Sequence, residues 1–118
     1  MRRILKLGII LIFSIFILIG CSSTNKMELE GRYLRCGKAN VIIDENGQPI
    51  VMNNISGNDE LFDNLKNGDK IKIKCSEILE SYPAQTQVDK FIFIEDGDIS
   101  DIPESTIKSL KELGWEID

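Results

Sequence analysis

The alternation of apolar and polar residues in the first half of the chain predicts three β-strands. They span residues 29–36, 40–44 and 49–55. Asn46-Gly47 separates the second strand from the third and is a strong signal for a tight hairpin turn. Gly31 lies in the middle of the first strand, where a glycine commonly marks a bulge or a sharp bend.

The segment after the third strand predicts a short helix within residues 56–69. Asn58 or Asp59 can cap this helix, and Gly68 can end it. Its apolar residues are Leu61, Phe62 and Leu65.

Two further strands follow. Residues 70–75 alternate strictly, with apolar residues on one face and lysines on the other. Residues 76–87 are irregular, because Pro83 cannot donate to a regular ladder. Residues 88–97 form the last predicted strand, with two phenylalanines on one face and two isoleucines on the other.

The predicted element order is three strands, a short helix and two strands. This is the order of an OB-like fold. We therefore predict a mainly β domain, a small five-stranded Greek-key barrel with a short helix between strands 3 and 4 and a C-terminal helix. An SH3-like or irregular small barrel would give a similar pattern.

The C-terminal helix is predicted within residues 98–118. Asp101 or a neighbour caps it, Pro103 and Glu104 suit its first turn, and Gly114 ends it. Its apolar stripe consists of Ile107, Leu110 and either Leu113 or Trp115. We expect this stripe to pack on the barrel, with Trp115 covering an edge or the mouth.

The N-terminal segment joins a basic head to a short apolar stretch. Residues 7–19 are too few for a spanning helix, which needs about 20 apolar residues, but they suit the apolar region of a secretory signal peptide. Leu18-Ile19-Gly20-Cys21 resembles the bacterial lipobox, in which the cysteine thiol receives a diacylglycerol before cleavage. The alternatives are an uncleaved anchor and a coincidental cysteine after an ordinary leader.

This pattern predicts the domain organisation and the location. Residues 1–20 are a lipoprotein signal peptide, 21–28 a tether, and 29–118 the OB-like domain with its helical extension from about residue 101. Cys21 is the lipid-attachment site. We expect the protein at the extracytoplasmic face of the cell membrane, held there by its lipid.

The later strands resemble a known family. A Gly-Asp turn enters the strand in "LKNGDKIKIKC", and "ESYPAQTQVDKF" precedes the last strand. These segments resemble the YobA-like family of small lipoproteins, over roughly residues 29–95 and most specifically at 81–85. The resemblance implies an OB-type domain on a lipid tether and supplies no catalytic residues.

The loop between the last two strands is a candidate ligand site, because OB domains often bind ligands there. Tyr82 offers an aromatic face, and Gln85 and Gln87 offer amide hydrogen bonds that suit a sugar or a peptide. The alternative is that Tyr82 packs over the end of the barrel while Pro83 stiffens the turn.

The charge of the chain bears on its partners. Beyond the leader, 11 basic residues face 19 acidic ones, a net charge of −8. Such a surface repels phosphate backbones, so we expect no nucleic-acid partner. The expected partners are the membrane, through lipidated Cys21, and an unidentified protein or small ligand.

Most catalytic chemistry is disfavoured. The chain has no histidine, which excludes Ser-His-Asp and Cys-His triads. A zinc site needs more nitrogen or sulfur ligands than this chain offers.

Asp96, Asp98 and Ser100 match the start of an EF-hand loop, but Asp101 and Ile107 stand where glycine and glutamate are required. We expect a solvated acidic turn with a helix cap, no metal, no cofactor and no enzymatic activity, although a pair of carboxylates could still serve a hydrolase.

Two cysteines remain, Cys36 and Cys75, and no CxxC motif occurs. An extracytoplasmic site permits a disulfide. In an OB-like barrel, however, the two cysteines lie at distant ends of paired antiparallel strands, and a bridge needs Cα atoms within about 7 Å. We expect Cys75 to act as a small buried hydrophobe.

The leading hypothesis is a membrane-anchored, non-enzymatic binding or interaction module. The alternative is a cell-envelope accessory protein that binds one protein partner through its acidic face or its C-terminal helix.

Overall fold

The computed structural model describes residues 27–118, which form a mainly β domain. The elements are β1 (Met27–Cys36), β2 (Ala39–Ile43), β3 (Pro49–Asn54), β4 (Lys70–Leu79), β5 (Ala84–Glu95), a 3₁₀ turn (Ile99–Asp101) and helix α1 (Glu104–Glu112). The predicted signal peptide, Cys21 and most of the tether lie outside the described residues. β1 begins two residues before the predicted domain start.

The five strands close on themselves in the order β1-β2-β3-β5-β4. Four of the contacts between strands are antiparallel, and β3 pairs with β5 in parallel. β1 pairs with β4 along its first part and with β2 along its second, and Arg32 has partners on both strands. The prediction of a mainly β fold with a C-terminal helix is confirmed.

The barrel interior is filled with side chains. Tyr33, at its centre, is fully buried, and Phe62 stacks between the rings of Tyr33 and Phe91 at centroid distances of 6.2 and 5.7 Å. The buried members of this cluster are Tyr33, Ile42, Ile50, Met52, Phe62, Leu65, Ile71, Ile73, Cys75 and Val88. Because this space is occupied, a ligand has to bind the outer surface.

A second apolar cluster lies on the outer face of β1 and β2. It joins these strands to the C-terminal segment through Leu34, Cys36, Val41, Ile43, Ile102 and Leu110. Trp115 and Ile117 pack against it, and the amide of Asp118 donates to the carbonyl of Arg35. Trp115 therefore covers an outer face of the sheet, not the predicted edge or mouth.

The predicted helix between β3 and β4 is wrong. The segment forms consecutive turns, in which the amides of Leu61 and Leu65 bond to carbonyls three residues earlier. The side chains of Asn54 and Asn58 accept the amides of residues 56 and 60 at 2.9 and 3.0 Å. Such local bonds compete with helical ones, yet Phe62 and Leu65 still reach the core as their spacing predicted.

The last two strands are longer than predicted. β4 continues to Leu79 and β5 begins at Ala84, so only residues 80–83 form the connecting loop. Pro83 does not interrupt the ladder, because it lies in this loop and not in a strand. The peptide bond between Tyr82 and Pro83 is cis. Register shifts between Cys75 and Ile78 absorb the irregularity.

The C-terminal helix begins without the predicted cap. Pro103 occupies the capping position of α1 with no side-chain hydrogen bond, and Glu104 is its first residue. Asp101 instead accepts the amide of Asp98 at 2.9 Å in the preceding 3₁₀ turn. The predicted end at Gly114 is confirmed by its φ of 92°, because glycine adopts this conformation at little cost.

Candidate functional site

The three predicted ligand residues lie on one β-hairpin, made by β4, β5 and their loop. Tyr82 is 51% exposed at the turn, and Gln85 and Gln87 are exposed on β5. Residues two apart on a strand face the same side. Gln85 and Gln87 therefore share the outer face, while Thr86 and Val88 between and after them are buried.

A third amide extends this surface from β3. The parallel register places Val51 beside Gln85 and Asn53 beside Gln87, and Asn53 is exposed. We call Asn53, Gln85 and Gln87 the amide row. Sequence reasoning missed Asn53, because its neighbour on β5 lies 34 positions away along the chain and nothing local signals a parallel pairing.

The loop end of the hairpin is apolar. Leu79 pairs with Gln85 across the hairpin and is 57% exposed. We call residues 79–83 the hairpin tip. Tyr82, which is also exposed, lies in the loop that follows Leu79. The sequence pattern does not point to Leu79, because it predicts an irregular segment over residues 76–87.

Thr86 holds the hairpin in register below this tip. Its hydroxyl is buried and donates to the carbonyl of Glu77 at 2.7 Å, at the level where β4 and β5 shift register. This bond satisfies a buried polar group. It also fixes the strand on which Gln85 and Gln87 are presented.

A charged groove of about 240 Å³ runs along the outside of β1, β4 and β5. Lys72 lies in it between Glu28 and Glu30, with Nζ to carboxylate oxygen distances of 3.2 and 3.9 Å. Lys74, Lys90 and Ile92 also line the groove. Three lysines and one glutamate line the groove, so its lining carries a net positive charge although Lys72 is already paired with glutamates.

The second groove, of about 280 Å³, lies between β1, β2 and the C-terminal segment. Arg32 borders it and is bound to Glu95 at 3.2 Å, with a second hydrogen bond to the carbonyl of Gly68. The other charged residues of its lining are Lys70 and four carboxylates, those of Glu30, Asp44, Glu45 and Asp101.

The acidic turn after β5 is a capping structure. Asp98 accepts the amide of Ser100 at 2.8 Å and also its hydroxyl. Together with the Asp101 bond, this is a capping box for the 3₁₀ turn. These hydrogen bonds lower the pKa of the Asp98 carboxyl. The cap therefore belongs to the 3₁₀ turn and not to α1, and from Met27 to the C-terminus no cluster of three or more potential metal-ligating residues occurs.

The two cysteines of the domain are free thiols and both are buried. Met27 pairs with Cys75, whereas Cys36 lies nine positions further along β1, about 30 Å of strand. Burial raises the pKa of Cys36 to about 11, with a contribution from the nearby Asp118 carboxylate, and burial also raises the pKa of Cys75. The prediction that Cys75 acts as a buried hydrophobe is confirmed.

The lipid-attachment prediction for Cys21 lies outside the described residues and stays a prediction. Within residues 27–118, no helix is long and apolar enough to cross a membrane.

Comparison with known proteins identifies a family but no function. No curated protein and no solved structure matches the chain significantly. A family model described as "Protein of unknown function (DUF3221)" matches residues 28–95, which is more than half of the chain and runs from the start of β1 to the last residue of β5. The chain therefore belongs to the DUF3221 family.

Proposed function

We propose that this protein is a YobA-like, lipid-anchored, extracytoplasmic lipoprotein whose domain is a non-enzymatic binding module. One observation carries the binding role. An aromatic ring, an apolar side chain and three amides stand exposed on a single hairpin and its neighbouring strand, outside a barrel whose interior is filled.

The strand order supports an OB-type domain. Closure in the order β1-β2-β3-β5-β4, with β3 parallel to β5, agrees with a five-stranded Greek-key barrel. OB domains bind ligands on the face of strands 2 and 3 and with the loops that flank it. Tyr82 belongs to one of these loops, and Asn53 lies on strand 3.

The chemistry of the surface suits a sugar or a peptide. Each amide of the row can both donate and accept hydrogen bonds, and the Tyr82 ring can stack on an apolar ligand face. The C-terminal segment covers Val41 and Ile43 on the outer face of β2. The amide row, on the neighbouring β3 and β5, stays exposed.

The anchor is supported by the sequence pattern of residues 1–21, in which the apolar stretch ends at Gly20-Cys21. The net charge of −8 beyond the leader disfavours nucleic acid as a partner. The alternative, a partner bound through the C-terminal helix, has less support, because the apolar stripe of α1 is already packed on the barrel.

The test has two parts. Intact mass of the protein purified from host membranes is expected to show a chain that starts at acylated Cys21. Binding to arrays of envelope glycans and peptides is expected to fall at least tenfold in Gln85→Ala/Gln87→Ala. Gln48→Ala, which removes an exposed amide in the β2–β3 turn, is the matched control. Binding that survives the double substitution would exclude the amide row as the site.

A further inference from the structure

We propose that the hairpin tip rests on the same lipid bilayer that holds Cys21, so that the domain has a fixed orientation on the membrane. The inference rests on the lipid anchor of the proposed function. It adds a second contact, between Leu79, Tyr82 and the lipid interface. On the membrane the amide row then holds the ligand, and Tyr82 contacts lipid in place of the ligand.

The direction of the strands places the tip towards the anchor. β1 begins at Met27, which pairs with Cys75 on antiparallel β4. β4 then continues for four residues to Leu79, beyond the first residue of β1 and away from the rest of that strand. At about 3.3 Å per residue, the strand extends ~13 Å beyond the start of β1, and the loop with Tyr82 extends further.

The length of the tether brings the bilayer to the same level. Residues 22–26 separate Cys21 from Met27 and span at most about 20 Å when fully extended. The lipid surface therefore lies within ~20 Å of Met27, and the hairpin covers most of that distance on the same side. A tether that is not fully extended holds the bilayer closer to Met27 still, within reach of the tip.

The side chains of the tip suit a lipid interface. Leu79 is 57% exposed and Tyr82 is 51% exposed, and Met27 at the base of the hairpin is 47% exposed. Tyrosine is enriched at membrane interfaces, where its ring lies among apolar groups and its hydroxyl stays hydrated.

The contact is apolar and not electrostatic. No lysine or arginine occurs between Lys74 and Lys90, and the exposed charges between these two residues are the carboxylates of Glu77 and Glu80. Anionic lipids therefore add no attraction at the tip. The orientation also places the amide row just above the bilayer, so that the ligand of the proposed function is one found close to the membrane surface.

The experiment uses the full acylated protein, reconstituted in phosphatidylcholine vesicles with or without brominated acyl chains, which quench tryptophan at membrane depth. Tyr82→Trp reports from the tip. Ile99→Trp is the matched control, because Ile99 is 43% exposed and follows the far end of the β4–β5 pair, where Lys70 pairs with Glu95. The emission of Trp115, measured in the unsubstituted protein, is subtracted from both.

We expect brominated lipid to quench the added emission of Tyr82→Trp at least twofold and to leave that of Ile99→Trp unchanged. Leu79→Trp is a second tip variant, should the first not fold, and is expected to behave in the same way. Equal quenching at both ends, or none at the tip, overturns the proposal and leaves the tip free for a protein partner.

Two further measurements test the apolar nature of the contact and the lipid anchor separately. Quenching at the tip is expected to be the same when phosphatidylglycerol is added to the vesicles. A requirement for anionic lipid would overturn the apolar contact and favour docking through Lys72, Lys74 and Lys90. Protein that lacks the acyl mass and fails to float with vesicles would overturn the anchor itself, and this proposal with it.

Discussion

Gly31 lies where β1 comes close to the end of β2. A Cβ atom on Gly31 would stand 2.3 Å from the carbonyl oxygen of Ile43 and 2.8 Å from a side-chain carbon of Ile42. The first of these neighbours is backbone within a strand, and it cannot move without breaking the β1–β2 ladder. The glycine is therefore required by the close approach of two strands.

We predict that Gly31→Ala lowers the free energy of unfolding by about 3 kcal/mol, because overpacking against backbone forces the strands apart. Gly57→Ala is the control. Gly57 has a φ of 80°, and a Cβ atom on it would have no neighbour within 4 Å, so only the left-handed conformation costs energy, ~1 kcal/mol. Urea unfolding measures both, and equal costs would show that the strands are not in close contact at Gly31.

Cys36 links the stability of the domain to alkaline pH. Its thiol has an ordinary pKa near 9, which burial and Asp118 raise to about 11. The folded state thus keeps a proton that the unfolded chain releases above pH 9. The stabilisation is complete below pH 9 and is lost as the pH rises towards 11.

We predict that the free energy of unfolding falls between pH 9 and pH 11, and that Cys36→Ala makes the fall smaller. Urea titrations at half-unit pH steps measure both curves. Peptide mapping after treatment with iodoacetamide at pH 8 is expected to leave Cys36 and Cys75 unmodified in the folded protein and to alkylate both in urea. Identical pH curves for the two proteins would contradict the assignment to Cys36.

At the level of elements, α1 and the residues after it act as a cover for the outer face of β1 and β2. Leu110 is fully buried in the outer cluster, whereas Leu113, one turn later, is 53% exposed. The buried hydroxyl of Thr106 donates to the carbonyl of Gly47 at 2.7 Å, which ties the helix to the β2–β3 turn. The helix is thus held by one apolar face and one polar contact.

We predict that Leu110→Ala lowers the free energy of unfolding by about 3 kcal/mol, because it opens a cavity in a closed cluster. Leu113→Ala removes the same atoms from an exposed position and is expected to change the stability by less than about 0.5 kcal/mol. Thermal and urea unfolding compare the two. Similar costs at both positions would mean that the helix is not packed through Leu110.

At the level of the whole molecule, the folded domain extends beyond the residues that the family model matches. The match ends at Glu95, but Ile102, Leu110 and Trp115 beyond it cover apolar residues of β1 and β2. In this chain a segment that the family model does not match therefore covers an outer face of the barrel.

We predict that a chain ended after Gly97 melts at least about 10 °C lower than the full chain and binds the dye ANS. Loss of the cover exposes Leu34, Val41 and Ile43, and a domain of this size loses several degrees for each kcal/mol. A truncated chain with an unchanged melting temperature and no dye binding would show that the barrel is stable without the cover.

Local patterns accounted for much of the fold. Strict alternation in residues 70–75 gave the start of β4, Asn46-Gly47 gave the β2–β3 turn, and Gly114 gave the end of α1. Each of these signals acts over a few residues, because side-chain periodicity and backbone conformation are local properties. The predicted helix at 56–69 failed for the same reason, since local side-chain bonds from Asn54 and Asn58 competed with it.

The sequence by itself determined which residues are apolar, where the turns fall, and that Tyr82, Gln85 and Gln87 belong to one short segment. Only the tertiary structure decided that Asn53 joins the two glutamines and that Leu79, like Tyr82, is exposed. It also decided that the outer face of β1 and β2 is covered by the C-terminal segment. These features depend on contacts between residues far apart in the chain, whose register is set by the closure of the barrel and by no single local pattern.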